Sequence, residues 1–522
     1  MENENKGIRL LKKGKKGLFR VLFSRIGIVT VLILVEAFMM LAMLKWFNEY
    51  YPGYYGLTTL FTFCMVIYLL NMRMNPTAKI TWLILIMLFP LLGAAFLGWT
   101  RSNIGHRSLK KRVLKIVEET DVYISQDEEI IEKLKDSKPE AVALAKYINR
   151  SGCYPVYDNT QVKYFSSGEE KFEEMLKQLK MAKHFIFLEY FIIDEGVMWG
   201  KILEILSQKV DEGVEVRVMY DGTCEYTTLT SDYTNRLAKL GIKSKVFAPA
   251  KPFVSSHYNY RDHRKILVID GHTAFNGGVN LADEYINEVE RFGHWKDTAV
   301  MLKGNAVKSF TLMFLQMWNL DEKNPVIKPY LEYNTFPVEV EGFVIPYGDC
   351  PLDDDKLGER VYMDILNRAH TYVHIMTPYL ILDGELETAI KFAAERGVEV
   401  SLILPGIPDK KSAYSLAKTH YKTLLESGVN IYEYTPGFVH AKICVCDDVN
   451  AVVGTINFDY RSLYHHFECA TYMSGVDCIR EIEADFEDTV KKCKKVTFES
   501  IKKEKFLLKL QGILLKAVAP LL

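Results

Sequence analysis

Two stretches of the chain carry the same reactive residue types at the same spacing. The first is His263-x-Lys265-x4-Asp270 followed by Gly277-Gly278-x-Asn280; the second is His440-x-Lys442-x4-Asp447 followed by Gly454-Thr455-x-Asn457. A neutral imidazole nitrogen can attack phosphorus, and a second imidazole can protonate a departing alkoxide, so two histidines cover nucleophile and general acid near neutral pH. Two lysines and two asparagines supply positive charge and amide donors to the non-bridging oxygens, where charge rearranges in the transition state. Small residues at Gly277, Gly278 and Gly454 would let backbone N–H groups approach a phosphate. The chemistry is phosphoryl transfer that calls for no metal and no nucleotide. The sequence contains no P-loop or metal-ligand cluster, and its nine cysteines show no CxxC spacing.

The elements that must hold these residues also recur. Residues 266–269 and 443–446 are apolar and strand-like, so a His and a Lys two apart are expected on one face of a strand. From about residue 150 short apolar runs alternate with amphipathic stretches, the pattern of βαβ units. Residues 185–193 predict a buried strand, 202–210 a helix and 214–220 a strand; residues 372–376, 386–395 and 398–404 repeat that order. Gly213-Val214-Glu215-Val216 is mirrored by Gly397-Val398-Glu399-Val400, and Leu240-Gly241-Ile242 by Ser427-Gly428-Val429. A repeat of about 180 residues is too long for a solenoid and implies two homologous lobes. Such lobes would share one site across a pseudo-twofold axis, as a homodimer does, so a monomer suffices.

The twinned HxKxxxxD with GGxN and GTxN resembles the phospholipase D superfamily, over most of residues 156–473. Its cardiolipin synthase branch is resembled more closely. The features are Asn75-Pro76-Thr77-Ala78-Lys79 before the Trp82 run, His294-Trp295-Lys296-Asp297, Asn457-Phe458-Asp459-Tyr460-Arg461-Ser462, and the terminal Ala519-Pro520-Leu521-Leu522. His466 stands where many members have Asn. The resemblance implies two phospholipase D-like α-β-α lobes forming one shared site, in an α/β chain preceded by N-terminal transmembrane helices. The chain is expected to divide into a membrane anchor with two to three apolar segments (residues 1–100), a basic linker or helical region (101–150), the two lobes (151–330 and 331–495) and a C-terminal amphipathic helix (496–522). The resemblance also implies a covalent phosphatidyl-histidine intermediate, with His263 as nucleophile and His440 as acid and base. Lys265, Lys442, Asn280, Asn457, Gly278 and Thr455 would hold the phosphate, and Glu468 and Asp297 would orient the imidazoles. Asp270 and Asp447 complete the motifs and are expected to brace a strand-turn.

Composition narrows the substrate. The 522 residues are 49% hydrophobic and 25% charged, with a net charge of −1, a balance unlike that of a nucleic-acid binder. Residues 26–44 form an apolar run broken by Glu36 and preceded by Lys12, Lys13, Lys15, Lys16, Arg20 and Arg25, which predicts a cytoplasmic N-terminus. Two further runs, 57–70 and 81–99, follow, the second interrupted by Pro90 and Gly93. Three full spans would put the basic stretch from Arg101 to Lys115 outside, against the positive-inside rule, so one run is expected to be re-entrant or to lie in the interface. Residues 502–522 are basic and apolar at helical spacing, suited to a membrane interface. The expectation is a multi-pass protein of a bacterial cell membrane with its catalytic region on the cytoplasmic side, acting on phosphatidylglycerol and other membrane phospholipids. By resemblance it transfers a phosphatidyl group between two phosphatidylglycerols. Hydrolysis, or transfer to another acceptor such as serine, is the alternative.

Overall fold

The computed structural model describes residues 51–101, 107–249, 260–333, 338–353 and 355–521, together with Phe38, Leu41 and Ala42. The chain divides into two compact units, residues 1–106 with 513–522, and residues 107–512.

The larger unit contains the repeated motifs. Its first lobe supplies strands β1 (Thr160–Phe165), β2 (Phe185–Tyr190), β3 (Glu215–Asp221), β4 (Lys243–Phe247), β5 (Arg261–Asp262), β6 (Lys265–Ile269), β7 (Thr273–Gly277), β8 (His294–Lys296) and β9 (Ala299–Gly304). The second supplies β10 (Phe343–Asp349), β11 (Tyr372–Met376), β12 (Glu399–Pro405), β13 (Asn430–Tyr434), β14 (Gly437–Val439), β15 (Ile443–Cys446), β16 (Asn450–Gly454), β17 (His466–Ser474) and β18 (Cys493–Lys495). Among the described residues, one sheet runs β1-β9-β7-β6-β2-β3-β4 and the other β10-β17-β16-β15-β11-β12-β13-β18. In each, three parallel strands (β2-β3-β4; β11-β12-β13) join an antiparallel set through one antiparallel neighbour, β6 or β15. This is the mixed α/β, two-lobed architecture implied by the duplicated motifs. Every residue of β2 and β6 is buried, as their mainly apolar sequences require of central strands covered on both faces.

Two features join the lobes. The helix Val307–Trp318 is buried along nearly its whole length and belongs to a core in which Phe187, Ile266 and Val300 of the first lobe meet Val344, Ile443 and Met473 of the second. The short strands β5 and β14 each cross to the opposite lobe. β5 pairs in parallel with β17 (Arg261 beside His466, Asp262 beside Phe467), and β14 with β8 (Phe438 beside Trp295, Val439 beside Lys296).

The smaller unit is helical where described: Tyr51–Asn71, Pro76–Leu88 and Pro90–Arg101. Asn75 caps the second helix by accepting from Thr77 N at 2.9 Å, with Pro76 at its first position. Gly93 lets the third helix close on the second, because a Cβ there would lie 2.9 Å from Leu85 O. Trp82 and Phe96 pack with ring centroids 5.4 Å apart.

The expectation of several membrane-crossing helices finds no support among the described residues. No helix among the described residues is long and apolar enough to cross a membrane. The 81–99 run is split at Pro90, which lacks the N–H that would continue the preceding helix, between helices of 13 and 12 residues. The 57–70 run lies in a 21-residue helix that opens with Tyr51-Pro52-Gly53 and carries Thr58, Thr59 and Thr62. Residues 26–44, apart from Phe38, Leu41 and Ala42, lie outside the described residues.

Candidate active site

Each motif histidine sits in the break between a crossing strand and a core strand: His263 between β5 and β6, His440 between β14 and β15. The backbone at the break is tied to the other lobe, His263 N donating to Phe467 O at 2.9 Å and His440 N to Lys296 O at 2.7 Å. The strand-like reading of the His-x-Lys segments therefore holds for Lys265, which opens β6, but not for the histidines, and Lys442 stands one residue before β15. A crossing strand of two or three residues gives no periodic signal in sequence.

The crossing puts each imidazole against a carboxylate from the opposite lobe. His263 Nδ1 lies 2.9 Å from Glu468 Oε2, and His440 Nδ1 lies 2.7 Å from Asp297 Oδ2. Both carboxylates are fully buried. A carboxylate on Nδ1 fixes the tautomer with its proton there and leaves Nε2 as the ring atom with a lone pair. Neither Nε2 hydrogen-bonds a described residue, and both rings remain slightly exposed.

The lysines lie beside their histidines. Lys265 Nζ donates to His263 O at 2.5 Å; Lys442 Nζ donates to His440 O and lies 2.9 Å from His440 Nδ1. All four groups are removed from water, and burial disfavours their charged forms. Burial pushes His440 down to about 4, with Lys442 adding and Asp297 opposing, and pushes His263 well below its ordinary value against the pull of Glu468. Lys265 falls to about 8 and Lys442 to about 7 for the same first reason, with the site carboxylates opposing. Burial alone would raise Glu468, but the imidazoles of His263 and His466 outweigh it, so the carboxyl stays an ionised acceptor. Both site histidines are thus neutral at pH 7, the form in which nitrogen is nucleophilic.

Other motif residues serve as scaffold. Asp270 accepts backbone N–H groups of Lys183, His184 and Phe185 at 2.7–2.8 Å, and Asp447 those of His370, Thr371 and Tyr372 at 2.8 Å. Both adopt positive φ, 50° and 54°, which a short carboxylate side chain tolerates. They sit at the far end of β6 and β15 from the lysines, bracing the turn, and are not in contact with the imidazoles. Asn280 is engaged as well: Oδ1 accepts from Ile192 N at 3.0 Å and Nδ2 donates to Tyr285 OH at 2.8 Å. Asn457 differs, its buried Oδ1 having no partner. The small residues do not leave free amides for a phosphate as expected, since Gly278 N donates to Thr298 O and Thr455 N to Cys469 O. Gly278 instead makes room for a carboxylate, because a Cβ there would lie 2.0 Å from Asp297 Oδ1. Its counterpart Thr455 donates its hydroxyl to Glu468.

Several residues in the site carry no motif. The expected strand 185–193 stops at Tyr190 because Phe191 turns its ring edge-on to His263, centroids 4.9 Å apart. Tyr285 and Trp295 pack on His440, each at 5.3 Å. Behind His263, Arg264 pairs with Glu189 at 2.6 Å and Asp262 at 3.2 Å, all buried. The corresponding residue after His440 is Ala441. Lys171, wholly buried, donates to Val279 O at 3.2 Å, beside Asn280. Glu189 shows in sequence as a charge within the apolar run 185–193, whereas Arg264 and Lys171 stand among other charged residues and give no such signal.

A family model described as "Cardiolipin synthase, PLD-like domain" matches residues 175–318 and 362–490, each span holding one motif. The chain belongs to this family. A cardiolipin synthase of Alkalihalophilus pseudofirmus is 31% identical over 86% of this chain and 90% of its own length. An uncharacterized protein of Streptococcus mutans serotype c is 60% identical over 88% of this chain and 99% of its own. Among solved structures, the phosphatidylserine synthase of Haemophilus influenzae superposes with a TM-score of 0.54 at 16% identity, covering 73% of this chain and 97% of that one. That likeness extends the family's two-lobed fold to a distant relative.

Proposed function

We propose that the chain is a phosphatidyltransferase that makes cardiolipin from two phosphatidylglycerols. The observation that carries the reading is the pair of buried imidazoles, each held through Nδ1 by a carboxylate of the opposite lobe, with Lys265 and Lys442 beside them. His263 Nε2 attacks the phosphorus of the first phosphatidylglycerol, forming an N–P bond as the P–O bond to the headgroup glycerol breaks. His440 gives that glycerol oxygen its proton. The terminal hydroxyl of a second phosphatidylglycerol then loses its proton to His440 and attacks phosphorus, and the N–P bond breaks. The anionic diester between the rings raises the proton affinity of His440, offsetting the burial that keeps it neutral in the free site. Lys265, Lys442 and Asn457 face the non-bridging oxygens, and Glu468 stabilises positive charge on His263 while phosphorus is attached.

The same reading puts the site at the cytoplasmic face of a membrane. The apolar run at 26–44 supports it, as do the exposed Leu57, Leu60 and Phe63 of the smaller unit. The helix Phe506–Lys516 exposes Phe506, Leu507, Ile513 and Leu514 among Lys505, Lys509 and Lys516, a composition suited to an anionic lipid surface.

The test is lipid chromatography after incubating purified protein with phosphatidylglycerol alone, beside a His263→Ala, His440→Ala double variant. Cardiolipin and free glycerol from the wild type only is the expected result. Phosphatidic acid as sole product would make the chain a hydrolase, and a new diester formed only with added serine or another alcohol would change the acceptor.

A further inference from the structure

The two carboxylates that hold the site imidazoles are not equally occupied. Asp297 spends Oδ2 on His440 and Oδ1 on the backbone N–H of Thr298 at 2.8 Å. Glu468 gives Oε2 to His263 and to the Thr455 hydroxyl, while Oε1 is buried without a hydrogen-bond partner. The group facing that oxygen is Nδ1 of His466, 3.5 Å away, itself buried and unpartnered. A buried acceptor and a buried ring nitrogen left facing each other just beyond bonding distance are a costly arrangement unless a proton or a small closure joins them.

The pseudo-symmetry shows what is unusual here. Two residues before each carboxylate stands a ring packed on the site imidazole: Trp295 on His440 at 5.3 Å and 43°, His466 on His263 at 5.3 Å and 38°. The crossing strands put both in the same register, Trp295 beside Phe438 and His466 beside Arg261. Trp295 packs and has no group that takes up a proton. His466 can also carry a proton.

We propose that His466 is a positioning residue, a second imidazole on Glu468 that sets how strongly this carboxylate supports His263. The inference rests on the phosphatidyl-transfer reading for its consequence in rate, but not for the coupling itself. With His466 neutral, Glu468 is free to stabilise the positive charge that develops on His263 as its N–P bond forms. Protonated His466 closes on Oε1, takes part of that negative charge, and adds a like charge beside His263, so protonating His466 slows the transfer. The other charged groups around the pair are Lys265 and Arg261 from the first lobe and Lys442 and Asp349 from the second. Lys265, Lys442 and Asp349 act on Glu468 in both states of His466.

The experiment uses the full chain as wild type, His466→Asn and His466→Phe; the phenyl ring tests whether an aromatic group alone fills the place, as Trp295 does opposite. Two readouts are taken: the pH profile of product formation on phosphatidylglycerol vesicles, and the titration of the His263 ring by NMR of histidine-labelled protein without lipid. The acid limb is expected to move to lower pH by about half a unit or more in both variants, and the His263 signals to lose the inflection they share with His466. Unchanged acid limbs together with an unchanged His263 titration would overturn the proposal. Absence of any lipid product from the wild type would overturn the transfer reading instead, and the NMR titration would still decide the coupling.

Discussion

The chemistry at residue scale depends on four side chains being buried without being silenced. Because each imidazole is oriented by a carboxylate at Nδ1, the carboxylates should matter nearly as much as the rings. Replacing His263 or His440 by Ala is expected to lower transfer by about a thousandfold or more. Asp297→Asn or Glu468→Gln, which keep volume but not charge, should cost about a hundredfold, measured as initial rates of cardiolipin formation. The buried lysine has a consequence for stability. Lys442 titrates near 7 in the folded chain against an ordinary 10.5, so between these values the unfolded state holds a proton that the folded state lacks, and stability rises with pH. Wild type should gain stability relative to Lys442→Met as pH goes from 7 to 10, read by denaturation midpoints of both proteins. The HxKxxxxD and Gly-x-x-Asn spacings made His263, Lys265, His440, Lys442 and Asn457 legible in the sequence. Roles inside the motif were less so: Asn280 looks identical to Asn457 in sequence, yet Ile192 and Tyr285 claim both ends of its amide.

At the scale of elements, the two aspartates show how a motif residue can act at a distance from the chemistry. Asp270 and Asp447 each collect three backbone N–H groups at the start of the neighbouring strand, so Asp270→Ala should destabilise the protein by about 2–4 kcal/mol. Thermal unfolding of the variant is the measurement; rates at temperatures where it stays folded should change far less than in the histidine variants. The terminal helix offers a second test at this scale. Gly512 faces the helix Lys411–Glu426, a Cβ there meeting Ser415 O at 2.3 Å, and Leu507 and Leu514 are exposed. Leu507→Glu with Leu514→Glu should weaken sedimentation with anionic vesicles without unfolding the larger unit. Core strands were readable because apolar runs such as 266–269 have one plausible fate. The crossing strands β5 and β14 were not, being two and three residues long and finding their strand partners in the other lobe. Of the apolar runs near the N-terminus, the interruption at Pro90 was visible in sequence, but hydropathy alone does not say that two separate helices result.

The larger unit behaves as one body, although its sequence reads as two. The buried helix Val307–Trp318 lies in a core drawn from both sheets, and each site half is finished by the other lobe's strand. Fragments 107–331 and 338–512 expressed apart are therefore expected to be insoluble or loosely packed, with activity returning only on coexpression; circular dichroism and gel filtration of the separate pieces check this. The repeat in sequence predicted one shared site but not that each histidine would find its carboxylate across the divide. Such a contact leaves no local signature, because its partners lie 205 and 143 residues apart.

That exchange of partners has a genetic reading. A lesion at His263 or Glu468 strikes one functional cell built from both lobes, so second-site suppressors of a defect near residue 263 should cluster near 468, and those of a defect near 440 near 297. The duplicated halves have thereby become complementary rather than redundant. Gly278 against Thr455, Ala441 against Arg264 and Trp295 against His466 mark positions where neither half can any longer be exchanged for a second copy of the other.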